Sequence, residues 1–209
     1  MFESFRAAFG PIGDGRVGAP WQDGRLSDVQ GYAELAGEYA GVTFGRGLYR
    51  IHDAQSGPRA LAFVLEAFPE FAKRVVPFGY DWLGRQLAVD YGRLQGDQPE
   101  VLLLEPGTGE ALQIPATFAA FHDEVLIEQT DAALASGFYE AWTAEPGASL
   151  PLGRDECVGY RVPLFLGGDD ELENLEVSDV EVYWSICGQL RSGTRQLPPG
   201  ASINEIRRD

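Results

Sequence analysis

The chain of 209 residues carries 16 basic and 32 acidic side chains, which gives a formal net charge of −16 at pH 7. A charge of that sign repels nucleic acids and anionic lipid, so the composition disfavours both as partners and favours a basic protein. Hydrophobic residues make up 44% of the chain, enough to build a core that needs neither a metal ion nor a disulfide bond.

The apolar runs are short. None approaches the ~20 residues that a membrane-spanning helix requires, and the N-terminus includes Glu3 and Arg6 instead of the long hydrophobic run of a signal peptide. The two cysteines, Cys157 and Cys187, are typical of reduced thiols in an intracellular protein. These features predict a cytoplasmic protein without a membrane anchor.

The first predicted elements follow an irregular leader. Glycines and prolines interrupt residues 1–25, so we expect this stretch to lie on the surface. A capping-box pattern at Ser27 and apolar residues at helical spacing predict a helix over 28–40. Two short strands, 42–44 and 48–51, are then expected on either side of a glycine-rich turn.

The central part of the chain changes from helical to strand-like. Pro58 and the apolar stripe after it predict two consecutive helices that end near Pro77. Three strand-like stretches, 86–91, 101–104 and 111–114, are separated by turn residues and predict an antiparallel meander.

Further helices are expected over 117–127 and 131–142, where they would cover one face of the predicted sheet. An extended segment over 158–166 leads into an acidic loop that opens at Gly167. A second capping box at Ser178 predicts a last helix up to Gly193. The alternation of apolar residues over 180–184 leaves a strand open as an alternative.

This order of elements predicts an α+β fold with a mostly antiparallel sheet and helices packed on it. Three segments are expected along the chain. They are an N-terminal leader and helix over 1–41, an α+β domain over 42–193 and a flexible C-terminal tail over 194–209.

No local motif for catalysis or metal binding is visible. The histidines and cysteines, His52, His122, Cys157 and Cys187, are isolated in sequence, which disfavours a zinc site. The glycine-rich turns lack the context that phosphate-binding loops need. We therefore predict no catalytic residue, no metal site and no cofactor. Carboxylates are abundant, however, so a hydrolase that uses a carboxylate pair stays an alternative.

Charge placement is the clearest functional signal. Residues 145–181 contain ten acids and two arginines, a net charge of −8 and thus half of the total. A negative surface of this kind would accelerate and orient the binding of a basic protein, although a merely solvated surface is the alternative. Aromatic residues beside acids are suited to interface anchors. The predicted partner-binding residues are Asp81, Trp82, Asp169, Asp170, Glu171, Glu173 and Glu176.

Three motifs also carry a family resemblance. They are residues 78–85, residues 104–110, and residues 163–168 followed by Glu-Asn-Leu-Glu at 173–176. In this order they resemble bacterial immunity proteins against type VI secretion DNase effectors, a family similar to the SUKH immunity superfamily. The resemblance covers roughly residues 42–192.

The resemblance implies a SUKH-like α+β fold and a non-catalytic role. A protein of this family would bind a cognate toxin and neutralise it by occluding the active site, with an acidic surface that competes with nucleic acid. It does not identify the contact residues or the oligomeric state. A regulatory adaptor or scaffold that uses the same surface is the alternative function.

Overall fold

The computed structural model describes residues 1–15 and 17–194. Within them the chain forms a seven-stranded antiparallel sheet, in which the order of the strands follows the sequence, and a separate two-stranded sheet. The strands are Gly13–Asp14 (β1), Thr43–Phe44 (β2), Tyr49–Ile51 (β3), Val75–Asp81 (β4), Gln86–Gln95 (β5), Gln98–Glu105 (β6), Glu110–Thr117 (β7), Glu156–Tyr160 (β8) and Leu175–Asp179 (β9). The predicted α+β class and the central meander are confirmed.

Helices cover both faces of the large sheet. Their bounds are Glu3–Ala8 (α1), Tyr32–Tyr39 (α2), Ser56–Ala67 (α3), Phe118–Ala120 (α4), Leu126–Glu128 (α5), Thr130–Leu134 (α6), Ser136–Thr143 (α7) and Val180–Thr194 (α8). A π-helical turn, Phe121–Val125, joins α4 to α5. No helix in these described ranges is long and apolar enough to cross a bilayer.

The first face of the sheet, which carries Tyr49 and Phe78, packs against α1, α2 and the helices from α4 to α6. The second face carries Tyr80 and Leu104 and packs against α3 and α8. Helix α3 buries Ala60, Phe63, Val64 and Ala67, which lie on one helical stripe. A smaller cluster around Trp82 connects the sheet to α7, β8 and β9.

The N-terminal stretch was predicted wrongly as an irregular surface leader. Phe2, Phe5 and Phe9 are buried in the same core as the first face, because α1 places them toward the sheet. The next predicted helix forms, but it begins at Tyr32, and the Ser27 hydroxyl donates to the Gly24 carbonyl oxygen instead of capping the helix.

Only one of the two helices predicted before Pro77 exists. Helix α3 ends at Ala67, and residues from Val75 onward form β4, which is buried at all seven positions. A strand buried on both faces has a continuous apolar sequence that periodicity alone cannot separate from a helix. The later predicted helix over 131–142 is split in two at Ala135, whose φ is 50°.

The C-terminal region differs from the prediction in its strands. The extended segment stops at Tyr160, and β9 pairs with β8 where only an acidic loop was expected. Residues from Val180 onward are helical, so the strand alternative is wrong, and Asp179 caps α8 by accepting from the Val182 amide at 3.0 Å. Residues 195–209 of the predicted tail lie outside the described residues, and the division into three segments stays a prediction.

Strand β7 forms one edge of the large sheet, since in the described ranges it pairs with β6 alone. Its register with β6 shifts between the pairs Val101–Ile114 and Glu100–Thr117. Pro115 therefore lies within a bulge of this edge strand.

Candidate partner-binding surface and adjoining cleft

The acidic segment, defined as residues 145–181, carries its charges on the surface. All ten of its carboxylate side chains belong to exposed residues. Local ion pairs hold a few of them, such as Asp155 with Arg59 at 2.7 Å and Glu176 with Arg161 at 3.5 Å. Exposed ion pairs of this kind are weak, so the segment keeps most of its negative field.

Three of the predicted contact residues converge on one cavity. Asp169, Glu171 and Glu173 line a depression of about 400 Å³ together with Val162 and Asn174. We call this cavity the acidic hollow. Its three carboxylates belong to every second residue of the chain and surround the same point of the surface.

Asn174 holds the loop that forms the acidic hollow. Its amide nitrogen donates to the carbonyl oxygens of Val162 at 2.9 Å and Asp169 at 2.8 Å, and its side-chain oxygen accepts from the Val162 amide at 3.0 Å. A Cβ atom at Gly168 would lie 1.9 Å from the Val162 carbonyl oxygen, so only glycine fits there. The shape of the hollow is thus fixed by the backbone and one amide.

Asp170 and Glu176 lie apart from the acidic hollow. Asp170 accepts a hydrogen bond from the Tyr160 hydroxyl at 2.6 Å and lines a second cavity of about 290 Å³ with Arg85 and Glu105. Burial raises the pKa of Glu105; Arg85 opposes this rise, and Asp170 adds to it. The predicted acids are therefore distributed between two cavities and β9.

Asp81 and Trp82 are not on the surface. Asp81 is completely buried and accepts from the Arg85 guanidinium at 2.6 Å and from the amides of Leu83 and Arg85. Trp82 is also completely buried, and its indole N–H donates to the Leu134 carbonyl oxygen at 2.9 Å. A side chain without accessible surface cannot contact a docked partner, so the prediction of these two residues as interface anchors is wrong. They fix the turn between β4 and β5.

A polar cleft at the start of α3 was missed by the sequence analysis. We call it the α3 cleft; it is lined by His52, Asp53, Ser56, Arg59 and Arg154 and borders the acidic segment at Asp155, Asp179 and Glu181. The only signal in sequence was the alternation Arg50-Ile51-His52, which in extended backbone places two polar side chains on one side of the chain at the end of β3.

Asp53 organises the α3 cleft. Its carboxylate accepts from the amides of Gln55 and Ser56 and from the Arg154 guanidinium at 2.9 Å. Burial alone would raise the pKa of Asp53, but these hydrogen bonds outweigh it and lower the pKa to about 2. Asp53 is therefore ionised at neutral pH and holds the residues just before and at the start of α3.

His52 lies beneath the cleft with both ring nitrogens engaged. Nδ1 lies 3.0 Å from the Ser56 hydroxyl and Nε2 lies 2.8 Å from the Gln86 amide oxygen, and the ring stacks on Tyr80. Burial lowers the pKa of His52 to about 4, so the imidazole is neutral at pH 7. The two cavities of the cleft measure about 30 and 90 Å³, space for a few water molecules. Ligand pockets are larger, at roughly 300–1,000 Å³.

Comparison with known proteins places the acidic segment in a family context. Residues 145–191 match the family described as "T6SS immunity protein Tdi1, C-terminal". A search of curated proteins found no match. The fold is similar to that in the crystal structure of Atu4351 from Agrobacterium tumefaciens, with a TM-score of 0.63 and 14% identity over 90% of this chain and 89% of that chain. At this identity the likeness shows the fold alone.

The match spans the acidic hollow, β8, β9 and most of α8. The similarity to the SUKH superfamily stays a prediction. Residues 145–191 are thus similar to the C-terminal domain of a type VI secretion immunity family.

Proposed function

We propose that this protein is a non-catalytic immunity protein that binds a basic cognate toxin and neutralises it by occluding the active site. One observation carries the proposal: the family match at 145–191 coincides with the acidic segment, which holds half of the net charge on exposed side chains. A toxin that cleaves nucleic acid needs a cationic surface for phosphates, and an acidic surface can compete for it.

The proposed contact surface is centred on the acidic hollow. Asp169, Glu171 and Glu173 would face the cationic groups of the toxin, with Asp170 and Glu176 beside them. Val162 and Val177 are 47% and 42% exposed, and they would add apolar contact area between the charges. The fixed backbone around Asn174 limits the ordering cost of binding at this loop.

The test requires a candidate effector as the binding partner, which is sought first among the genes that neighbour this one. A triple variant, Asp169→Lys, Glu171→Lys and Glu173→Lys, is compared with a matched triple variant at exposed acids outside the segment, Glu66→Lys, Asp97→Lys and Glu128→Lys. Each triple replaces three negative charges by three positive ones and changes the net charge from −16 to −10. Binding is measured by calorimetry at low and high salt.

We expect the first triple variant to raise the dissociation constant at least tenfold more than the matched variant, and to weaken protection in a co-expression growth assay. Equal losses in both variants would show that only the net charge matters and would reject the hollow as the contact surface. If the wild-type protein does not bind the effector, the immunity proposal is wrong, and partners isolated from cells without the effector would favour an adaptor.

A separate measurement tests occlusion. Stoichiometric protein should abolish cleavage of a short nucleic acid by the purified effector. If the protein binds the effector but cleavage continues, complex formation is supported and the proposal that the active site is occluded is wrong.

A further inference from the structure

Arg50 is a buried cation without a partner. It lies in β3, directly opposite Tyr80 of β4, and its residue is 1% exposed on the second face of the sheet. In the described part of the chain none of its three side-chain nitrogens, Nε, Nη1 and Nη2, has a hydrogen-bond partner. No carboxylate of the described residues forms a salt bridge with it.

Without a bound acceptor, an unpaired buried charge of this kind destabilises the folded state. A guanidinium stays protonated in proteins and presents five N–H donors, and a buried charge is tolerated when it is paired and hydrogen-bonded. The Tyr80 ring, whose centroid lies 5.1 Å from the guanidinium carbon, provides a cation–π contact. A ring face does not satisfy the N–H donors, so the site lacks an acceptor.

Gly47 shows what lies in front of the guanidinium. A Cβ atom at this position would lie 3.0 Å from Arg50 Nη2 and 2.7 Å from the Leu152 Cβ atom. Nη2 and Leu152 therefore both pack closely against residue 47, which is a glycine with φ of 121°. The Leu152 amide donates to the Arg46 carbonyl oxygen at 3.0 Å and keeps this wall in place.

Leu152 also lines an open cavity of about 330 Å³. Arg46 and Arg154 line the same cavity, as does Thr43, the cross-strand neighbour of Arg50. Arg154 is paired with Asp53 at 2.9 Å, and Asp14 also lines the cavity. Arg46 forms no salt bridge among the described residues, so its charge, with that of Arg50 behind Leu152, would attract a small anion there.

We propose that Arg50 is the recognition group of a binding site for a small oxyanion, a carboxylate or a phosphate, which enters through the cavity at Leu152. The planar fork of a guanidinium matches two oxygens of such a group in a bidentate pair. The depth of Arg50 selects a small molecule, because neither a nucleic acid strand nor a folded partner can reach a residue with 1% exposure.

The test measures thermal unfolding of the full chain with sodium phosphate, sodium acetate or sodium chloride at equal ionic strength. Wild type is compared with Arg50→Met and with Arg161→Met, which removes an exposed arginine that does not line the cavity at Leu152. We expect phosphate or acetate at saturating concentration to raise the Tm by about 2–4 °C above chloride in wild type and in Arg161→Met. The more effective anion identifies the oxyanion class.

Arg50→Met should lose this rise. Without anion it should unfold at the same temperature as wild type or a higher one, because a buried apolar side chain replaces an unpaired charge. A retained rise in Arg50→Met, or no rise above chloride in wild type, would overturn the proposal.

A second variant covers the case in which Arg50→Met does not fold. Arg50→Lys keeps the charge and removes the bidentate fork, so calorimetry should show at least a tenfold weaker binding of the effective anion. Binding equal to wild type would reject recognition by the guanidinium.

Discussion

The two faces of the large sheet each bury a polar side chain, and they treat it in opposite ways. On the first face His122 is fully buried, Nδ1 donates to the Phe118 carbonyl oxygen at 2.8 Å, and Nε2 lies 2.9 Å from the Tyr49 hydroxyl. On the second face Arg50 is as deeply buried and has no hydrogen bond from its side chain in the described residues. Two polar side chains of equal burial thus differ in whether their hydrogen-bonding groups are satisfied.

The neighbours of His122 and of Arg50 also differ. His122 lies among aromatic rings, including Phe5, Phe78 and Phe118 at centroid distances of 4.4–5.5 Å. Arg50 shares its face with His52 and Gln86, which lead toward the α3 cleft. The first face is a closed core, and the second face combines a core under α3 and α8 with a polar strip near the surface.

The largest expected effect tests whether the first face is a closed core. Phe121→Ala removes a completely buried ring that contacts Phe78. We expect it to lower the free energy of unfolding by about 3–5 kcal/mol in urea denaturation, because a cavity remains. Leu94→Ala, at a residue 55% exposed, should change it by less than about 0.5 kcal/mol. Equal values for both variants would contradict tight packing.

The next effect concerns pH and involves both faces. Burial lowers the pKa of His52 to about 4 and that of His122 to about 3, against a reference value of 6.5. Below pH 6.5 the histidines of the unfolded chain bind protons, whereas those of the folded chain do not. The free energy of unfolding is therefore highest above pH 6.5 and falls as the pH drops toward 4. Each histidine should remove about 2 kcal/mol of stability between pH 7.5 and pH 5.

Denaturation at the two pH values checks this expectation. The variants His52→Gln and His122→Gln should each show a loss smaller than that of wild type by about 2 kcal/mol. An unchanged loss in either variant would mean that the histidine concerned is not kept neutral by the fold.

The smallest effect isolates the hydrogen bond that distinguishes His122 from Arg50. Tyr49→Phe removes the hydroxyl beside His122 Nε2 and leaves a buried nitrogen without a partner. We expect a loss of about 1.5 kcal/mol, which should shrink when the same change is made in a His122→Phe background. Additive losses in this double-mutant cycle would show that the two side chains are not coupled.

Much of the fold was predictable because local patterns agreed with it. Strands β5, β6 and β7 are separated by turn residues, and α8 follows a capping pattern. The predictions failed where the local sequence pattern pointed to a different structure. Helix α1 lies next to glycines and prolines that suggested a loop, although Phe2, Phe5 and Phe9 have helical spacing. Strand β4 is buried on both faces and therefore lacks an alternating pattern.

Some residues of the candidate sites could likewise be predicted from the sequence, and others could not. Exposure of the carboxylates at 169–173 follows from their density, since so many charges cannot be buried together. Asp81 was misread because its partner, Arg85, lies four residues later across a tight turn. Arg50 was missed because an arginine in a short strand suggests a solvent-facing side chain. Its burial involves residues distant in sequence, such as Tyr80 of the next strand, whose ring centroid lies 5.1 Å from the guanidinium carbon.

The bulge at Pro115 affects how the protein behaves at high concentration. An exposed strand edge is a template for adding a strand from another molecule, and long flat edges lead to aggregation. In β7 a proline without an N–H group interrupts the row of donors, and the bulge bends the strand there. Polymerisation through this edge is thereby hindered, so the protein is expected to stay dispersed at high concentration.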